Sequence, residues 1–330
     1  MTGTLPYLDL RTHLMARFGR RVQKIALDAG FTCPNRDGTV GVGGCLYCNA
    51  RGSGTGAFSR GQSLTAQLQA AALGLTRRYG PCAFIAYFQG FTNTYAPVAR
   101  LKALYDEALA FPGVVGLSVG TRPDCVPDEV LELLAGYADK HLVWLELGLQ
   151  SAHDATLRRL SRGHDVACFA DAVRRAAAHG LEVVAHVILG LPGEGREEML
   201  ATARFLGGLP LQGVKLHLLY VVAGSGLARL YEAGDYTPLS EEEFVSLAVD
   251  FLEELPPHLV IHRLTGDPHP EELLAPAWCR DKNRVLAHLR EEFARRGSRQ
   301  GGRWTQGGKE VGQSLPGWAG HLHLSGMEPA

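Results

Sequence analysis

Six short runs of the chain are almost continuously apolar: 22–27, 83–88, 114–119, 143–149, 182–189 and 214–219. Strands that read this way bury both faces, as they do in a parallel sheet covered by helices. Between them lie segments with apolar residues at helical spacing: 64–79, 98–109, 127–138, 166–178 and 197–206. Their ends carry the expected punctuation. Pro127 opens one helix, where a missing amide does no harm; Gly180 closes another. A further helix is predicted over 10–18. Beyond 219 the pattern predicts a helix over 240–255, with Ser240 and Glu243 as a capping box, a strand over 260–264 and a helix over 283–296.

Six strand–helix steps in this order predict an α/β fold, a (β/α)6 partial TIM barrel with a C-terminal α-rich extension. In such barrels the site lies at the C-terminal ends of the strands. The organisation expected is an N-terminal helical extension (1–21), a barrel core (22–225), a C-terminal extension (226–296) and a flexible, polar, Gly-rich tail (297–330).

Composition narrows the function. The chain has 330 residues, 46% hydrophobic and 20% charged, with a formal net charge of −1. That is enough to build a full core, but no global field draws nucleic acid, so such a partner must be met by local patches. The candidates are the basic segment from Asp9 to Lys24, the pairs Arg158–Arg159 and Arg174–Arg175, and the basic tail. The opening residues lack the apolar run of a secretory signal, and no 18-residue apolar stretch predicts a membrane span. A reducing cytoplasm is the expected setting for the seven cysteines.

Three of these share one Gly-rich loop after the first strand. Cys33, Cys45 and Cys48 are separated by eleven and two residues, with Tyr47 between the close pair. Three thiolates leave one position open, as in a [4Fe–4S] cluster with one free iron; a closed structural zinc site wants a fourth ligand. Other polar groups recur where a barrel would expose them. Glu146 and Gln150 share a face of the fourth strand, and Lys215 and His217 a face of the sixth. Arg122 and Asp124 follow the third strand, either to pair with each other or to face a ligand. Cys82 and Cys168 read as buried fillers.

Taken together, Cys-Pro-Asn-Arg-Asp-Gly-Thr, Phe-Thr-Asn-Thr-Tyr, Gly-Thr-Arg-Pro-Asp-Cys, Leu-Glu-Leu-Gly-Leu-Gln-Ser, Arg-Gly-His-Asp and Gly-Leu-Pro-Gly-Glu resemble the radical S-adenosylmethionine (SAM) superfamily. The likeness is to its YhcC/YtqA-type subfamily, related to the Elongator catalytic-subunit branch, and runs from about Arg20 to Cys279. It implies a [4Fe–4S] cluster on Cys33, Cys45 and Cys48 and SAM as second cofactor. SAM would be cleaved reductively to a 5′-deoxyadenosyl radical, with a reductant such as flavodoxin or ferredoxin. It implies SAM contacts from Gln89, Asn93 and Ser118, from Glu146 and Gln150 toward the ribose, from Arg162 toward the carboxylate, and from Val187 and Gly190 toward the adenine. Cys125, Lys215, His217 and Cys279 are the candidates for contact with substrate or for quenching a substrate radical. The resemblance points to a tRNA wobble uridine side chain as substrate. The alternatives are a small molecule or peptide, or a zinc-stabilised binding protein without activity.

Overall fold

A computed structural model describes residues 5–52, 55–306 and 309–310. Its strands are β1 (Val22–Leu27), β2 (Ala83–Phe88), β3 (Val114–Thr121), β4 (Leu142–Gln150), β5 (Glu182–Leu189) and β6 (Gly213–Leu218), followed by the short β7 (Val221–Val222), β8 (Val260–Arg263) and β9 (Leu273–Ala275). The helices are α1 (Leu10–Phe18), α2 (Leu64–Tyr79), α3 (Val98–Leu109), α4 (Asp128–Ala138), α5 (Asp154–Arg159), α6 (Val166–Ala178), α7 (Arg196–Gly207), α8 (Gly226–Glu232), α9 (Glu241–Glu254) and α10 (Lys282–Arg296). β1 to β6 pair in chain order, every pair parallel, and form the partial barrel. The extension adds to that sheet: β8 pairs with β6 as a seventh parallel strand. A four-residue strand after two helices carries too little pattern to show from the sequence which edge it joins.

The strands alternate between two environments. Outward residues such as Phe84, Phe88, Leu117, Leu145, Leu147, Val183 and Leu216 form the main core with the helices. Inward residues at the N-terminal end of the barrel (Val22, Ala83, Ile85, Leu142, Trp144 and Val184) meet Leu14 of α1. Asp9 caps α1 by accepting from the amides of Arg11 and Thr12 and also bridges to Ile261 of β8. The N-terminal segment therefore closes the bottom of the barrel.

Residues 297–305, expected as the start of a flexible tail, are held against the body. Gln300 is buried; its Oε1 accepts from the Leu8 amide at 3.0 Å, and its Nε2 donates to the carbonyls of Pro256 and Leu259 at 2.8 and 2.9 Å. Arg303 pairs with buried Glu253 at 2.8 Å, and Arg296 with buried Asp250 at 2.8 Å. A polar, Gly-rich stretch can dock when its side chains satisfy buried carbonyls and carboxylates. The rest of the tail, 311–330, lies outside the described residues.

Candidate active site at the mouth and lumen of the barrel

The cysteine loop follows β1 at the C-terminal end of the sheet. Cys33 and Cys45 each head a tight turn: the Arg36 amide donates to the Cys33 carbonyl at 2.8 Å, and the Cys48 amide to that of Cys45 at 2.9 Å. Leu46 anchors the loop on both sides. Its amide donates to Leu160 at the end of α5, and its carbonyl accepts from Leu227 of α8. Tyr47 packs into the same small apolar cluster as Leu160, Ile188 and Leu227.

Two side chains address Cys45. Asn35 donates through Nδ2 to the Ser161 carbonyl at 2.5 Å and reaches Cys45 Sγ at 3.5 Å. Arg162, itself buried, donates Nη1 to Cys45 Sγ at 3.4 Å, Nη2 to the Gly148 carbonyl at 2.8 Å and Nε to His164 Nε2 at 3.1 Å. A Cβ at position 148 would come within 2.6 Å of Gln150 Nε2 and 2.8 Å of Arg162 Nη2, so a larger residue there would displace both side-chain ends. The Cys45 thiol is held well below its ordinary value, first by a hydrogen bond from Cys48 and then by the Arg162 and Arg122 guanidiniums, which outweigh its burial. Cys33 lies within electrostatic reach of Arg122 and Cys125. Among the described residues, no three Cys, His, Asp or Glu side chains close on a point for a single metal ion.

The loops after the other strands converge on this mouth. Asn93 is fully buried and its Nδ2 bridges the carbonyls of Phe88 and Gly120 at 3.1 and 2.7 Å, tying the ends of β2 and β3 together. Its Oδ1, like the Thr92 hydroxyl, is buried without a hydrogen-bond partner. Gln89 is half-buried beside them. Arg122 and Asp124 pair with each other at 2.6 Å, while Arg122 Nη1 stays buried and unpartnered. Gln150 ends β4 in a left-handed conformation, φ 75°. β5 runs past that end. Val187 is the last residue paired with β4, so Ile188 and Leu189 keep that backbone edge free of ladder partners. Gly190 is less open than the sequence suggests: its carbonyl accepts from Tyr236 at 2.9 Å and Leu239 covers its α-carbon.

Below the mouth, the lumen holds a charge cluster. Glu146 is fully buried. One carboxylate oxygen accepts from Lys24 and, at 2.5 Å, from Ser118; the other lies 2.6 Å from His186 Nε2 and 3.0 Å from Lys215 Nζ. Lys24 also reaches His262 Nδ1 at 3.3 Å, and Lys215 reaches the Tyr87 hydroxyl at 2.7 Å. In this structure the acceptor sites expected to face a ribose at Glu146 are filled by protein donors, and Ser118, expected on SAM, is one of those donors. Burial resists ionisation of Glu146, but Lys215 and Lys24 overcome it and hold the carboxyl well below its ordinary range. Burial brings Lys215 down to about 7 and His186 to about 4.

The Lys215 shift fixes a sign for stability against pH. The unfolded chain keeps that lysine protonated to near 10.5, so above pH 7 it binds more protons than the folded one. Stability contributed at this position therefore rises with pH. The difference in unfolding free energy between wild type and Lys215→Met should change in favour of wild type from pH 6.5 to 8.5, read from urea midpoints. A pH-independent difference would contradict a depressed lysine.

Several side chains of the candidate site have no role that the sequence alone points to. Lys24 reads in the sequence as part of a basic N-terminal segment, yet it points into the lumen; Asn35 and His186 stand inside motif-bearing stretches without a role of their own, and Tyr87 and His262 belong to none. The signal was a polar residue on the inward alternation of each strand, unreadable until register sets the strands in one layer. Arg17 pairs with Glu182 at the start of β5, and Arg175 with Asp128 and Asp171, so neither contributes free charge to the mouth. Cys125 is buried, with its thiol pushed up to about 12; Cys279 is buried too, donates to the Pro276 carbonyl and is raised to about 11. Neither is a thiolate near neutral pH. Cys82 and Cys168, expected as buried fillers, are partly buried, and Cys82 packs against the main core.

A parallel partial barrel with a three-cysteine loop over the C-terminal ends of its strands defines a radical SAM-type site. The sequence comparisons agree. Residues 33–206 match the Radical SAM superfamily and residues 211–295 the Radical_SAM C-terminal domain, and the chain belongs to that superfamily. The uncharacterised protein YtqA of Bacillus subtilis is 42% identical over 89% of this chain and 92% of its own length. The tRNA uridine(34) acetyltransferase of Dehalococcoides mccartyi is 33% identical over 46% of this chain, which spans 33% of that protein. Among solved structures, Elp3 of Methanocaldococcus infernus superposes with a TM-score of 0.67 at 18% identity, covering 86% of this chain and 64% of that one. No helix among the described residues is long and apolar enough to cross a membrane.

The cofactors are those of the family, a [4Fe–4S] cluster and SAM, and the residues present suit them. The loop offers three thiols, one already favoured as thiolate. The loop after β2 offers two unpartnered buried oxygens as acceptors for an ammonium, and the free edge of β5 offers backbone groups to a base.

Proposed function

We propose that this radical SAM enzyme acts on a tRNA base, the side chain of the wobble uridine. When bound, the cluster and SAM supply reductive cleavage of SAM and abstraction of a substrate hydrogen, with the electron drawn from an external reductant. Cys33, Cys45 and Cys48 would hold the cluster. Arg162 and Asn35 would donate to Cys45 and fix its orientation. Thr92 and Asn93 would receive the SAM ammonium, and the backbone at Ile188 and Leu189 its adenine.

The observation that carries the nucleic-acid reading is the rim of the cysteine loop. The Arg36 guanidinium lies over the Phe91 ring at 5.2 Å, and that of Arg100 over Phe31 at 5.4 Å. Arg60 is exposed nearby, and Phe58 keeps 54% of its surface open. Arginines interleaved with aromatic faces suit phosphates and an unstacked base. The choice of uridine rests on the similarity to the tRNA uridine(34) acetyltransferase.

Binding of unmodified tRNA by the cluster-loaded protein should weaken steeply with salt, with a slope of roughly −0.7 to −0.9 per phosphate contact. Arg60→Ala and Arg100→Ala should each reduce that slope by about one. Salt-independent or absent binding would instead favour a small molecule or peptide. Comparing modified nucleosides in tRNA from deletion and parent cells then tests the uridine itself.

A further inference from the structure

Inside the barrel, cations outnumber carboxylates. Lys24 and Lys215 both pair with the single carboxylate of Glu146. A third cation joins them by way of a register shift. Val214 of β6 pairs with Ile261, but Lys215 pairs with Arg263; such irregularities re-aim a side chain, and Arg263 lies in electrostatic range of Lys24, Lys215, Tyr87 and His217. Its own acidic partner, Asp267, is 3.8 Å away and exposed.

The donors are not used up. An ammonium has three N–H groups. Lys24 spends all three, on Glu146, Ser118 and His262. Lys215 spends two, on Tyr87 and Glu146. His217 stacks against His186 at 5.4 Å with no hydrogen bond of its own among the described residues. His217 and Arg263 are half-exposed although they face inward. Trp144 and α1 shut the bottom of the barrel, and Trp144 is only 1% exposed, so the exposed surface of His217 and Arg263 does not lie at that end.

We propose that the lumen is an anion subsite, in which Lys215, Arg263 and His217 hold a carboxylate or phosphate oxygen of the substrate above the Glu146 cluster. Glu146 is shared between Lys24 and Lys215, so an anion entering the lumen would favour the protonated form of Lys215, and a desolvated ammonium–oxyanion contact is among the stronger hydrogen bonds. Glu146, Lys24 and His186 form the floor that positions Lys215. The inference concerns the barrel of the proposed enzyme but stands whether its substrate is tRNA or a small molecule.

The test is equilibrium binding to the cluster-loaded, SAM-bound, unreduced protein by anaerobic calorimetry. Benzoate and phenylphosphonate serve as carboxylate and phosphate probes, and benzamide as the neutral counterpart. At least one anion should bind on the order of tenfold or more tighter than benzamide, and which one does so separates the two sources. Lys215→Met leaves Glu146 paired with Lys24, so the buried charge stays balanced; it should remove that preference while cluster absorbance and circular dichroism are retained. His217→Gln, which breaks no internal hydrogen bond, should weaken the anion several-fold and serves if Lys215→Met fails to fold. Equal affinity for anion and amide, no binding of either anion, or an anion affinity unchanged in the folded variants would overturn the proposal. Loss of salt-sensitive tRNA binding would not bear on these probes, so the two readings fail separately.

Discussion

Cys33→Ala is expected to lose the iron–sulfur absorption and the cleavage of SAM together, with activity falling to background. The reason is ligand count. One loop at the mouth carries three cysteines, and three ligands are what a cluster with one open iron needs. Another thiol, Cys125, lies within electrostatic reach of Cys33, but it is buried on the turn after β3, outside the cysteine loop. Cys82→Ala is the matched control: that thiol is half-exposed on the segment between α2 and β2 and should leave iron and sulfide content unchanged. Iron, sulfide and methionine release measured on anaerobically reconstituted protein decide the matter. Full SAM cleavage by Cys33→Ala would remove the assignment of this loop as the cluster site. A protein that holds only zinc and stays inert to dithionite would favour the non-enzymatic alternative.

Much of this was legible because the physics was local. Continuous apolar runs such as Ala83–Phe88 and Leu142–Gln150 are buried along their whole length, and no other element reads that way beside amphipathic helices. The cysteine spacing needed no fold to be noticed. The lumen was legible only in part. Lys215 and His217 stood out as alternating polar residues on one strand, but the group that neutralises Lys215 sits 69 positions away, on β4. Glu146 calls for a buried partner, for which a ribose is the sequence-based expectation; Lys24, 122 positions away, reads only as part of a basic N-terminal segment. Register across β1, β3, β4, β5 and β6 makes the difference, and register is a property of the assembled sheet. The resemblance implies Arg162 on the SAM carboxylate; in the structure its guanidinium also donates to Cys45 Sγ, a contact no spacing in the sequence points to. The short α5 and α8 span six and seven residues, too few for a periodic signal, yet they clamp Leu46 and so position the cluster loop.

Glu146→Gln is expected to destabilise the folded protein by about 3–5 kcal/mol, the usual cost of removing one side of a buried ion pair. The amide keeps the shape of the carboxylate but not its charge, so Lys24 and Lys215 would face each other uncompensated. It also turns one acceptor oxygen into a donor, aimed at groups that themselves donate. The depressed pKa of Lys215 limits the damage, because that lysine can shed its proton near neutrality; the loss should therefore be larger at pH 6 than at pH 8.5. Urea unfolding should show a lower midpoint at similar slope. The diagnostic variant is the triple change Lys24→Met, Glu146→Leu, Lys215→Met. Apolar residues of similar volume can replace a buried charged cluster with little loss, so the triple variant should regain most of the stability lost by Glu146→Gln alone while losing the anion preference of the lumen. That combination would place the purpose of the cluster in binding rather than in folding. A single variant within about 0.5 kcal/mol of wild type, the range of ordinary surface changes, would show that Glu146 is not holding two charged lysines.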